Sequence, residues 1–226
     1  MVAYCRSKDI LYEKNLQKKC KSTPLFGALV MLIDFSVDNF RSYRVEKKFS
    51  LVAAEHDDHL PENVAEIDCA DLRLLKSAAI YGANASGKSN LIQGMHKLAS
   101  MLLSPVDRYM GTSEGEQHDP YRLDPAALDE PTKFVVSFLL NNVIHKYSVS
   151  SEKNRITHES LVVYPQGRPQ VWFVRTGSDF VFSSTSLKGD KIRLQRVTAD
   201  SIPFLAIAVA FDHPQLAPLP VGFQRI

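Results

Sequence analysis

An α/β fold is predicted by three features of this 226-residue sequence. A short apolar run, "LLKSAAIYG", leads into a glycine-rich loop, "ANASGKSN"; helical periodicity follows directly; and a later block of short alternating segments is separated by turn residues. The first two make a strand–loop–helix unit and the third an antiparallel meander. Hydrophobic residues are 45% and charged residues 23% of the chain, the composition of an ordinary globular protein with room for one good-sized core. Lys+Arg 27 against Asp+Glu 25 gives a net charge of +2, too near balance for non-specific attraction to nucleic acid or anionic lipid.

In chain order, residues 1–30 are lysine-rich and weakly patterned, and read as a loosely structured extension upstream of a native start at Met31. From Met31 the hydrophobic positions Leu32, Ile33, Phe35, Val37 and Phe40 predict a strand, and "RSYRVEKKFSLVA" a second strand antiparallel to it. Residues 55–70, acidic and Pro-bearing, predict a surface loop, and "LLKSAAIYG" a strand ended by Gly82. Leu91, Ile92, Met95, Leu98, Ala99 and Leu102 recur at helical spacing, so a helix is expected from about Lys88 to Leu103, closed by Pro105. Residues 104–133 are polar and proline-rich, an irregular connection. Five short strands follow, "KFVVSFLL", "VIHKYSVS", "SLVVY", "VWFVR" and "FVFSS", parted by "NN", charged residues, "PQGRP" and "TGSD". The Ala-rich run "SIPFLAIAVAF" predicts a buried helix, and a Pro-rich tail ends the chain.

Cys5, Cys20 and Cys69 form no CxxC pair and leave one thiol over, which fits a reduced cytoplasm. "PLFGALVMLIDF" is interrupted at Asp34, far short of the roughly 20 residues that span a bilayer, so no membrane segment is expected.

The chemistry concentrates in Gly82-Ala83-Asn84-Ala85-Ser86-Gly87-Lys88-Ser89, followed by Asn90, which satisfies GxxxxGK[ST] with an apolar run before it and an amphipathic helix after it. Glycine at 82 and 87 allows sharp turns that point successive N–H groups inward at a phosphate, and the helix N-terminus adds partial positive charge. Lys88 is expected on the β/γ-phosphates and the Ser89 hydroxyl on Mg²⁺. ATP and Mg²⁺ are the ligands this pattern implies.

An ATPase of this kind also needs an acid at the end of a second strand to complete the magnesium shell, usually with a glutamate to orient water. Asp129-Glu130 in "ALDEPT" has no apolar strand before it, and Asp212 ends the Ala-rich run with His213-Pro214 in the glutamate's place. Both read as ordinary loop or helix-end residues, and the catalytic acid is left unassigned. The seven histidines lack metal-ligand spacing; His56 and His59 fall in a solvated acidic loop. Trp172 alternates as a sheet-packing residue, and "RSYRVEKK" reads as a solvated strand edge.

"MLIDFSVDNFRSYRVEKKFSLVA", "LLKSAAIYGANASGKSNLIQGM", "YRLD", "YPQGRPQVWF", "STSLKG" and "AVAFDHPQLAP" together resemble the amino-terminal half of bacterial AAA-family ATPases of the abortive-infection type, over residues 31–218. That family is related to the RecF, SMC and OLD heads of the ABC ATPase class. The resemblance implies a P-loop NTPase core, the amino-terminal lobe of an ABC-ATPase head, with an antiparallel β-meander subdomain, occupying residues 31–226 and cut before Walker B. It makes Arg41 of "NFRS" a candidate phosphate or ribose contact. It also implies that the "RLD…E" and "HPQL" segments do not supply the catalytic acid, and that the signature motif, Walker B and switch histidine belong to a later half. Gln117 and Gln166 stand in turn-like surroundings, so no Q-loop glutamine is assigned.

The leading expectation is thus an ATP-binding lobe of a bacterial anti-phage defence protein. In the complete family protein, two heads as a homodimer would sandwich ATP and regulate an effector; hydrolysis by this chain alone is expected to be weak or absent. A small self-contained P-loop kinase or nucleotidase is the second reading, and a truncated remnant the third. Nucleic-acid contact has no support in the sequence.

Overall fold

The computed structural model describes residues 30–54, 61–67, 71–103, 118–165 and 167–219. Its frame is a seven-stranded sheet in the order β2-β1-β5-β6-β7-β8-β9, each neighbouring pair antiparallel. The strands are β1 (Val30–Asp38), β2 (Lys47–Ser50), β5 (Thr132–Leu140), β6 (Val143–Glu152), β7 (Arg155–Tyr164), β8 (Gln170–Thr176) and β9 (Asp179–Phe182). A separate hairpin, β3 (Val64–Ile67) with β4 (Leu72–Leu75), lies apart from that ladder. Three helices complete the described residues: α1 (Lys88–Leu103), α2 (Lys191–Val197) and α3 (Phe204–Ala210). None is long and apolar enough to cross a membrane.

The five-strand meander stands where the alternation places it. Its tight turns use residues that tolerate left-handed backbone: Asn141 and Asn142 have φ of 50° and 61°, and Lys153 and Asn154 have 42° and 62°. Two consecutive positive φ values match the right-handed twist of the joined strands. The β1–β5 ladder slips between Leu32 and Asp34, a bulge that turns Ile33 to one face while Phe35 and Val37 keep the other. The adjacent apolar pair Leu32-Ile33 was its sequence trace.

Each sheet face is used differently. On the front, Phe35, Phe134, Phe138, Tyr147 and Phe173 pack beneath α1 and α3 in the main core. Gly94 lets α1 settle on the sheet, since a Cβ there would already sit 3.4 Å from the Phe35 ring and 3.5 Å from Phe134. On the back, Ile67, Leu72 and Leu74 of the small hairpin cover Ile33, Leu139, Ile144 and Tyr164. Beside the hairpin the back face is polar, with Ser137 donating to buried Asp34 at 2.9 Å and Lys48 3.5 Å from the same carboxylate.

Several expectations are corrected. "LLKSAAIYG" does not run as a strand to Gly82: β4 stops at Leu75, and Ser77–Gly82 has no regular structure, with Ile80 38% and Tyr81 85% exposed. A strand needs a neighbour to take its backbone hydrogen bonds, and no described strand lies alongside this segment. The expected surface loop 55–70 contains β3, because Val64–Ile67 pairs with β4; residues 55–60 and 68–70 lie outside the described residues. Helix α1 keeps its predicted bounds, yet Ile92 is 62% exposed rather than on the buried face. The predicted α/β class holds, but the parallel core and separate meander do not: among the described residues every strand pair is antiparallel and β1 is continuous with the meander. Helix α2 was unforeseen, its seven residues too few to show a period. The extension 1–29, Cys5, Cys20, Cys69, His56, His59, Gln117, Gln166 and the tail from 220 lie outside the described residues.

His145 gives the sheet a pH-dependent strand. It is buried, stacked at 5.2 Å on Phe138 and edge-on to Trp172, with Nδ1 3.0 Å from the Val143 carbonyl. Burial pushes its pKa down to about 4. The unfolded chain therefore takes up the proton first, and the contribution of neutral His145 is whole above the ordinary histidine value and lost as pH falls toward 4. Wild type is expected to lose about 3 kcal/mol more stability than His145→Phe between pH 6.5 and 4, read from urea melts. Parallel pH profiles would overturn this.

Candidate functional site

The glycine-rich loop joins the irregular segment Ser77–Gly82 to the first turn of α1. Ala85 and Gly87 take positive φ, 62° and 90°, so the chain reverses twice in three residues. Neither glycine has room for a Cβ: at 82 it would lie 2.8 Å from Ser86 Oγ, and at 87 it would lie 2.9 Å from Ser42 Oγ and 3.2 Å from the Tyr43 hydroxyl. The Lys88 ammonium folds back over the loop, donating to the Gly82 and Ala83 carbonyls at 2.8 and 2.7 Å, with Ser86 Oγ at 3.4 Å. No acidic residue stands in the first turn of α1, so the partial positive charge of that helix end is not neutralised locally. Ser89 is exposed beside it.

A second piece of chain closes one side. After β1, Phe40 and Tyr43 exchange backbone hydrogen bonds at 2.9 and 2.8 Å around the turn residues Arg41 and Ser42. Tyr43 donates its hydroxyl to the Gly87 carbonyl at 2.8 Å, and Asn90 Nδ2 donates to Ser42 Oγ at 2.8 Å. Burial raises the Tyr43 hydroxyl above its ordinary value and keeps it a donor. Asn39 and Arg41 have φ of 45° and 50°, a costly pair for non-glycine residues. Asn39 pins that geometry from within: its Nδ2 donates to the Ala127 and Glu130 carbonyls, and its Oδ1 accepts from Tyr121 N–H.

Of the predicted site residues, Gly82–Asn90 form one continuous cradle. Arg41 stands on the neighbouring turn, where its Nε bonds Asp119 at 2.5 Å and its Nη1 bonds Gln93 of α1. Asp129 and Glu130 sit at the end of a short 3₁₀ turn, bound by Lys153 and Arg44, and are well exposed. Asp212 is exposed just past α3. "STSLKG" and "DHPQL" meet each other instead: Gln215 accepts from Lys188 N–H at 2.7 Å and donates to the Ser186 carbonyl at 3.1 Å, and His213 lies against Gly189. Among the described residues no three His, Cys, Asp or Glu could hold a metal ion. A Mg²⁺ at the loop would therefore take Ser89 and the nucleotide's own phosphates. The sequence reading passed over Asn39, Ser42 and Tyr43; a turn that needs Asn in left-handed geometry was the available signal.

A family model described as "AAA domain, putative AbiEii toxin, Type IV TA system" matches residues 77–205, more than half of the chain. That span holds the loop, α1, the meander and α2. No curated protein matches.

Proposed function

The chain belongs to the AAA-domain family described as putative AbiEii toxins of type IV TA systems, and from that premise we propose that it binds the phosphate tail of ATP, as its Mg²⁺ complex, on the loop Gly82–Ser89. The carrying observation is the Lys88 ammonium lying across the loop carbonyls beside an unneutralised helix N-terminus, a cationic cradle of the size of one phosphate. In this reading Lys88 leaves those carbonyls for the β/γ-phosphates, Ser89 ligates the metal, and Gly87, Lys88 and Ser89 present N–H groups to the anion. Arg41 exchanges Gln93 for a phosphate or ribose oxygen.

The same proposal makes the chain the amino-terminal, ATP-binding lobe of an ABC-class head in a cytoplasmic anti-phage defence protein, with residues 1–30 as an extension. Two observations support a second lobe, in a homodimer or with an effector, as the source of the missing acid. No described carboxylate cluster can complete a metal site, and the exposed apolar segment Ser77–Gly82 has no partner strand. ATP hydrolysis belongs to that completed assembly.

The test is a thermal melt of the purified chain. Mg²⁺–ATP at a hundred times its Kd stabilises by about 2.7 kcal/mol, a rise of roughly 5–10 °C for a chain of this size. Turnover should stay at background. No shift at millimolar ATP overturns the binding reading, and Mg²⁺-dependent turnover overturns the reading of an incomplete site.

A further inference from the structure

Resting on that nucleotide-binding reading, we infer that Tyr43 is a positioning residue for the phosphate cradle, setting the direction of the Gly87–Lys88 peptide through its hydrogen bond to the Gly87 carbonyl. A trans peptide holds its C=O and N–H on opposite sides of one plane. A donor fixed behind the Gly87 oxygen therefore aims the Lys88 N–H the other way, into the concave side of the loop where an anion is received. Gly87 has φ of 90°, where the backbone has little restoring force of its own. The same oxygen also accepts from Asn90 and Leu91 N–H at 2.9 and 3.2 Å, so Tyr43 locks the loop peptide to the first turn of α1. A hydroxyl donated to a carbonyl also polarises that peptide and strengthens its N–H as a donor.

The lever is rigid because its base is rigid. Tyr43 is 6% exposed, and Phe40, its partner across the turn, lies edge-on to Phe134 at 5.4 Å in the main core. Asn39 and Arg44 tie the turn to the 118–130 segment, Asn39 through the three bonds already described and Arg44 through Asp124 and Glu130 at 2.6–2.9 Å. Thr132 adds a bond to the Asn39 carbonyl at 2.7 Å. Ser42 only packs against Gly87 and accepts from Asn90, so it does not orient the peptide.

The experiment compares wild type and Tyr43→Phe, which keeps the ring and removes the donor, by calorimetric titration with Mg²⁺–ATP and with inorganic tripolyphosphate. Tyr43→Phe is expected to weaken both about tenfold while its ligand-free melting temperature falls by no more than about 4 °C, since Gly87 keeps its two helical partners. Amide exchange of residues 83–89 in the ligand-free variant should quicken, with β1 and β5 unchanged. Equal affinities in the two proteins overturn the inference and leave the nucleotide reading standing. A loss for ATP alone makes Tyr43 a base or ribose contact and overturns it too, as does loss of the variant's cooperative melt, which makes Tyr43 a folding residue. Wild type that binds neither ligand overturns the nucleotide reading and the inference together.

Discussion

Lys88→Ala is expected to abolish the ATP-dependent rise in melting temperature while leaving the ligand-free protein nearly as stable as wild type. The asymmetry comes from where the ammonium sits. In the free chain Lys88 bonds the Gly82 and Ala83 carbonyls, both on an exposed stretch. Truncation leaves those oxygens open to water, which replaces the lost donor at little cost. With nucleotide bound, the same ammonium would face the β/γ-phosphates, where a charge-assisted bond is stronger than a neutral one and water is no substitute. Losing about 3 kcal/mol there is a drop of more than a hundredfold in affinity. At the ATP concentration that lifts the wild-type melt, the variant should not shift. A variant that binds within threefold of wild type would show that the phosphate tail rests elsewhere.

This loop was legible because its residue types are dictated by local geometry. Gly82 and Gly87 occupy places where a Cβ would collide, and Lys88 and Ser89 must follow at the helix start. Likewise the meander could be read because alternation and the Asn141-Asn142 turn act over a few residues. What escaped was decided at a distance. Asn39 acts on carbonyls 88 and 91 positions away, and Tyr43 reaches a loop 44 positions on. The failed strand at Ser77–Gly82 has the same cause in reverse: its apolar pattern is right, but a strand exists only where another lies beside it. Hairpin β3–β4 was hidden because its partner relation, not the composition of "VAEI", makes it.

Glu159→Ala is expected to be the most damaging single change in the described fold, lowering stability by about 3–5 kcal/mol and the melting temperature by roughly 10–15 °C. In sequence this glutamate is only one more residue of β7. In the structure it is fully buried and serves as the cap that α3 lacks. Pro203, at the helix N-cap, offers no side-chain bond; instead Glu159 accepts from Phe204 N–H at 2.7 Å and Leu205 N–H at 2.9 Å, two of the unpaired donors of that helix start. It also accepts from the buried Tyr147 hydroxyl at 2.9 Å, and Arg175 lies 3.9 Å away. Arg175, itself 1% exposed, donates to the Gly177, Ile202, Ala199 and Asp200 carbonyls and lies over the Phe180 ring. Alanine would leave two amides, a hydroxyl and a guanidinium without their acceptor in the core, and the cost lies in those orphaned donors more than in the lost contacts. Glu159→Gln is the sharper probe. It fills the same space, but its amide must turn an N–H toward one of the three donors, so it should recover only part of the loss. Burial raises the Glu159 carboxyl, so the stability tied to its proton is complete below the ordinary glutamate value and lost as pH rises through the raised one. Acid therefore relieves this site while it attacks His145. If Glu159→Ala and Glu159→Gln both melt within 2 °C of wild type, the helix cap is not held by this carboxylate.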